Sequence, residues 1–299
     1  MYISLLLAFL LLGSASEPGT PRAADALLAD LVRLDTPDAD LPALERIAAM
    51  QAVYRGGTAH LQTGADCHSI ASDNQRDLFD ATALMAFYQP DEALLHRMRC
   101  LHERLVSDGT AGAADHRALH GALVALRHFD EANQLRDRWS LPVPTLPDIR
   151  GEPSAGMEVL RLGHADAVER IAFPENGVHV VALVHPNCSF SARALQAIVT
   201  DPGYDALRGH MRLVVRSDPH WPEKAMRAWN TLHPDLPMLA MVPGVKFSQL
   251  DMHETPVFHL VQDGVVVETV VGWQGDGAAV RALAERLVSL IPDANREVD

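Results

Sequence analysis

The sequence predicts an all-helical N-terminal domain, a bundle or a tetratricopeptide-like array, followed by an α/β domain. Three observations carry that prediction. Apolar residues recur at helical spacing from Ala23 to about Ser140. Pro142, Pro144, Pro147 and Pro153 then interrupt the chain. Beyond them, short β-branched runs alternate with helical stretches, the mark of an α/β fold. A chain of 299 residues is also long enough for two domains.

In order along the chain, Leu5 to Leu12 is an uninterrupted apolar run followed by the small residues Gly13, Ser14, Ala15 and Ser16. That pattern predicts a secretory signal over residues 1–16, cleaved near Ala15 or Ser16, although no Lys or Arg precedes the run. The run is shorter than the roughly 18–20 residues a bilayer requires, so no transmembrane anchor is expected after cleavage. No Cys follows it, which argues against a lipoprotein anchor. The protein is expected to be exported, to the periplasm or the medium.

The helical domain, residues 23–140, carries Leu27, Leu28, Leu31 and Leu34 on one stripe, and Ala118, Leu119, Ala122, Leu123 and Leu126 on another. Helix breaks are expected at Thr36-Pro37, Gly56-Gly57, Gln89-Pro90-Asp91 and Ser107 to Gly112. Phe87 to Ala93 and His128 to Ala132 share an aromatic, acidic, small order that occurs in tetratricopeptide-like helix pairs. An irregular bundle accounts for the pattern equally well. Residues 141–156 are expected to form a stiff, extended linker.

In the α/β domain, residues 157–292, Met157 to Leu162 is a first strand and Ala165 to Ile171 a short helix. Gly177 to Val184 is apolar except for His179, as in a strand buried on both faces. His185-Pro186-Asn187-Cys188-Ser189-Phe190-Ser191 then opens a helix whose buried stripe is Leu195, Ile198 and Val199. Met211 to Val215 is the next strand. Thr255-Pro256 precedes Val257 to Val261, and Asp263-Gly264 turns the chain tightly into Val265 to Val271. A final helix carries Val280, Leu283, Leu287 and Leu290.

A buried strand ending in a Cys-x-x-x helix start, with Thr-Pro before a hairpin that closes on Val271-Gly272-Trp273, resembles the thioredoxin family over Met157 to Ile291. The resemblance implies a three-layer thioredoxin-like domain. It also implies Cys188 as the nucleophile and Thr255 and Pro256 as a substrate-facing cis-proline loop. Three positions depart from the family: the resolving cysteine is Ser191, the tryptophan before the nucleophile is Asn187, and the buried acid of the preceding strand falls at Ala182. Without a second thiol in the motif, Cys188 cannot store two electrons as an internal disulfide, so mixed-disulfide chemistry is what the motif leaves. The resemblance implies Ser191 as a hydrogen-bond donor to the thiolate and Asn187, Thr255 and Pro256 beside a bound client.

Composition limits the partners. The formal charge of −14 argues against nucleic acid and anionic membranes. Client proteins or peptides bearing thiols, and a protein partner of the helical domain, are the expected partners; no cofactor is called for. With three cysteines in an oxidising compartment, one thiol is left over. Cys67 and Cys100 either form a structural disulfide or supply a resolving thiol for Cys188. Cys188 itself is either reactive, through the helix N-terminus, or an inert relic in a non-catalytic interaction module. Between Asp218 and Glu254, Trp221, Met226, Trp229, Met238, Met241, Phe247 and Met252 either line a peptide groove or form core. His185 and His253 near Cys188 raise a copper or zinc accessory site, but no metal-binding spacing supports it, and no metal ligand is assigned. Hydrolase-elbow, phosphate-loop and dinucleotide motifs are absent.

Overall fold

A computed structural model describes residues 24–36, 41–59, 67, 70–153, 156–163, 167–244, 250 and 254–291. The expected signal segment 1–16, together with Phe247, Met252 and His253, lies outside the described residues. A helical region is followed by a mixed α/β domain built on an eight-stranded sheet.

The helical region holds α1 (Ala24–Asp35), α2 (Ala43–Thr58), α3 (Ser72–Tyr88), α4 (Glu92–Ser107), α5 (Ala113–Ala125) and α6 (Phe129–Trp139). Its boundaries follow local chemistry. Asp91 caps α4 by accepting the Ala93 and Leu94 N–H groups, just past Pro90, which cannot continue α3. Gly109, at φ 67°, ends the turn after α4. The expected break at Gly56-Gly57 is corrected: α2 continues to Thr58. Gly57 is there for packing, because a Cβ on it would lie 2.8 Å from Leu27 Cδ1 on α1. Fully buried Leu31, Met50, Phe79, Leu95, Met98, Leu101 and Leu123 form the core of this region.

The sheet contains β1 (Asp148–Arg150), β2 (Glu158–Leu162), β3 (Ala167–Ala172), β4 (Val178–Val184), β5 (Met211–Val215), β6 (Met238–Met241), β7 (Val257–Gln262) and β8 (Val265–Val271). Their order across the sheet is β1-β3-β2-β6-β5-β4-β7-β8. β4, β5 and β6 are parallel, with Val184 opposite Val215 and Val215 opposite Ala240. β7 runs antiparallel to β4, with Ala182 opposite Phe258, and β8 antiparallel to β7. The helices are α7 (Ser189–Thr200), α8 (Asp205–His210), α9 (Glu223–Leu232) and α10 (Ala278–Leu290). Asp263 and Gly264, both at positive φ, make the tight turn between β7 and β8.

The apolar residues of α7, α8, α9 and α10 pack on one set of alternating strand side chains, including Val180, Ala182, Val184, Leu213 and Val215. The other set, with Val181, Leu183 and Val214, gathers a second cluster with Phe173 and Leu250. β4 is therefore buried along nearly its whole length, while β8, at the sheet's edge, alternates between exposed and half-buried.

Three segments differ from the sequence expectation. The helix expected over Ala165 to Ile171 is corrected in its described part: β3 occupies Ala167–Ala172 and pairs antiparallel with β2, and Ala165 and Asp166 lie outside the described residues. Its charges serve cross-strand pairs, Arg161 with Glu169 at 2.6 Å and Arg170 with Glu158 at 2.8 Å, so the polar spacing that reads as helical belongs to a hairpin. Asp148–Arg150, inside the expected linker, adds a parallel strand at the edge of the sheet. Met238–Met241, without a single β-branched residue, is a wholly buried strand. Met226, Met238 and Met241 are thus core, and of the suggested apolar groove only the two tryptophans, each half-buried, keep exposed surface among its described members.

The helical region meets the sheet at the C-terminal ends of β5 and β6. Arg127, in the connection between α5 and α6, donates from Nε to the Met241 carbonyl at 2.9 Å. The Ser217 hydroxyl donates to the Ala125 carbonyl, and Phe129 meets Trp221 edge-on, with ring centres 5.0 Å apart. The linker is held to α6 by Asn133, which accepts the Leu146 N–H at 2.9 Å and donates to the Leu146 carbonyl at 3.0 Å.

Candidate thiol site

Parallel strands deliver their following loops to one end of a sheet, and β4 delivers the Cys188 loop there. Cys188 is the N-cap of α7, with extended φ and ψ of −87° and 121°, so its side chain sits where the first helical N–H groups are unpaid by intrahelical carbonyls. It is a free, half-buried cysteine. Its thiol donates to the Thr255 carbonyl at 3.3 Å, across a loop separation of 67 residues. The Thr255-Pro256 peptide bond is cis, and the Pro256 carbonyl accepts the Gly272 N–H at 2.8 Å, which ties the loop to the end of β8.

Burial pushes the Cys188 pKa up, but hydrogen bonds to the thiolate outweigh it. They come from the Ser191 N–H, the Thr255 hydroxyl, the Ser191 hydroxyl and the Phe190 N–H, and the thiol lies below its ordinary value. Ser191, buried to 1% exposure, also accepts the His185 N–H at 3.3 Å. It fixes the loop and stabilises the anion. Asn187 is exposed and donates its N–H to His185 Nδ1 at 3.3 Å. Phe190 is 52% exposed beside the thiol, with the Arg193 guanidinium 4.7 Å from its ring centre.

His185 lies 3.9 Å from Asp218, whose other oxygen accepts the His220 N–H at 2.8 Å. Burial lowers the His185 pKa, and Asp218 only partly opposes it. A neutral imidazole cannot act as the thiolate's counter-charge, so the anion rests on uncharged donors. Asp218 was not singled out by sequence reasoning. Its signal was the Asp218-Pro219-His220 run directly after β5, where a loop returns to the same end of the sheet as Cys188.

The structure brings Cys188, Ser191, Asn187, Thr255 and Pro256 together, and it bonds Cys67 and Cys100 to each other and leaves Cys188 free. Cys67 and Cys100 are joined in a disulfide, with Cα atoms 6.1 Å apart, which links the segment before α3 to α4. Among the described residues no group of three His, Cys, Asp or Glu side chains is arranged to hold a metal ion. None of the described helices is long and apolar enough to cross a membrane. Ala182 is fully buried in β4.

No protein-family model matches the sequence, and no curated protein does. Among solved structures the chain is similar to the crystal structure of a thioredoxin-like protein from Bacteroides caccae. Identity is 11%, 85% of this chain and 96% of that chain are covered, and the TM-score is 0.28. A likeness that loose bears on neither fold nor activity.

Proposed function

We propose that this protein is an exported, single-thiol, thioredoxin-like protein that forms mixed disulfides with client proteins through Cys188. The observation that carries the reading is the placement of a free thiol at the N-cap of α7, with its sulfur against the Thr255 carbonyl and a pKa below the ordinary value. The thiolate attacks one sulfur of a client disulfide. A Cys188–client disulfide forms and the client's second sulfur leaves as a thiolate. Attack by another client thiolate on the mixed disulfide forms a new client disulfide and returns the Cys188 thiolate. No net oxidation or reduction occurs, which suits a motif with Ser191 in place of a second cysteine. The Cys67–Cys100 disulfide supports residence in an oxidising compartment.

With that disulfide intact, iodoacetamide reaches Cys188 alone, so the native protein can be titrated directly. The alkylation rate against pH should give a midpoint below the ordinary thiol value of about 8.5. Incubation with a scrambled disulfide-bonded protein should yield an adduct that Cys188→Ser lacks. A midpoint at or above the ordinary value, together with no adduct, would overturn the reading and leave a non-catalytic interaction module.

A further inference from the structure

Where the helical region meets the sheet domain, α5, the linker and the segment after β5 enclose a cleft of about 840 Å³. Its walls include Ala118, Gly121 and Val124 of α5, Val143 to Leu146 of the linker, and Pro219 and Trp221. Volume and lining are those of a small-molecule site, mostly apolar with a few convergent polar groups. The wall is held firmly: the Trp221 ring has the Arg127 guanidinium 5.1 Å from its centre, and Asn133 pins Leu146.

The charges of the lining that are left without an ion-pair partner among the described residues have one sign. Glu223 is the acid of the lining, and both its oxygens are engaged, Oε1 by Arg227 at 2.7 Å and Oε2 by the Trp221 indole N–H at 3.1 Å. Arg117 and Lys224 line the cleft, are exposed, and form no ion pair among the described residues. His120 lines the same cleft at 6% exposure, with its Nε2 closed to solvent and so to a ligand, and it adds no negative charge to the wall.

We propose that this cleft is a binding site for a small organic carboxylate with an apolar body, the body lying against Trp221, Val143 and Leu146 and the carboxylate meeting Arg117 and Lys224. The site is separate from the thiol, and nothing in it depends on Cys188 being reactive. It does adjoin the thiol loop, because His220 at its rim shares Asp218 with His185.

Decanoate, decanol and decylamine share one apolar chain and differ in head-group charge, and serve as probes below their aggregation concentrations. Calorimetry and thermal melting of the full chain should show decanoate binding at one saturable site, about tenfold tighter than decylamine. Replacing Arg117→Gln and Lys224→Gln together changes two exposed side chains and should cut that preference to about threefold or less. Ala118→Trp fills the cleft and should abolish binding of all three. Decylamine binding as tightly as decanoate, absence of any saturable binding, or decanoate binding untouched by the charge-removing pair would each overturn the proposal. Should Ala118→Trp fail to fold, the surface pair still decides it.

Discussion

The two places where this chain uses cysteine show how surroundings decide what a thiol does. In the helical region Cys67 and Cys100 lie with Cα atoms 6.1 Å apart against a packed core, and they are bonded to each other. In the sheet domain Cys188 sits at a helix start with Ser191 where a partner sulfur would be, surrounded by N–H and O–H donors. The first arrangement spends its sulfur chemistry on holding helices together. The second keeps a thiolate available and gives it no internal partner. The histidines divide the same way: His102 and His116 are 2.7 Å apart in the helical core, whereas His185 lies in the thiol loop beside Asp218.

The sharpest way to break the comparison is to exchange the roles. Cys188→Ser should abolish mixed-disulfide formation completely while leaving the melting temperature nearly unchanged. Cys67→Ala with Cys100→Ala should do the reverse, destabilising the helical region by about 2–4 kcal/mol, as expected for opening a loop of this length. Denaturant melts and iodoacetamide labelling of Cys188 in the same samples separate the two effects. Loss of Cys188 labelling in the double variant, under conditions where it stays folded, would show that the regions are not independent.

A smaller effect is expected at the seam. Arg127 is buried to 5% exposure, and burial lowers its pKa to about 10. Its guanidinium spans the two regions through the Met241 and Val124 carbonyls. Arg127→Ala strands those acceptors, while relief of the buried charge returns part of the cost, so a loss of about 1–3 kcal/mol is expected. If the seam couples the regions, two-state unfolding should split into two transitions in this variant.

Acid should weaken the helical region. Burial, with repulsion from His116, lowers the His102 pKa from 6.5 to about 4, so the unfolded chain binds a proton that the folded chain refuses between those values. Stability from this group is fully present above about pH 6.5 and is lost as pH falls toward 4. The slope is at most about 1.4 kcal/mol per pH unit for one such site. His102→Gln should flatten that part of the profile, measured as denaturant midpoints between pH 7 and 4.

How far the sequence discloses this depends on the kind of signal. Pro90, Asp91, Gly109 and the Leu27-Leu31 stripe act over one or two turns, so the helix limits at Tyr88, Glu92 and Ser107 could be read directly. β4 and the β7–β8 hairpin were legible because β-branched runs and an Asp-Gly turn are local as well. β3 was not, because its Glu169 and Arg170 are explained only by partners on β2. β6 was not, because Met238-Leu239-Ala240-Met241 has no strand signature and becomes a strand by lying between β5 and β2. At the site, Cys188 and Ser191 were legible from the motif. Asp218 and the Arg117–His120 cleft were not, since they arise from the seam between two regions distant in sequence.

The finest test of the contrast between the two thiol environments is Ser191→Ala. The serine hydroxyl and the N–H of the same residue both favour the thiolate, but the backbone donors of Ser191 and Phe190 and the Thr255 hydroxyl survive the substitution. Losing one donor to the charged form raises a thiol pKa, so the iodoacetamide profile should move to higher pH without losing its plateau. The His185 N–H also loses its acceptor, so a small drop in stability should accompany the shift. Ser191→Cys offers the converse: a sulfur in a position fully buried beside Cys188 should pair with it on oxidation, closing Cys188 to alkylation until reductant is added. An unshifted profile in Ser191→Ala would mean that the helix N-terminus and Thr255 alone set the reactivity of Cys188, and that Ser191 only holds the His185 loop in place.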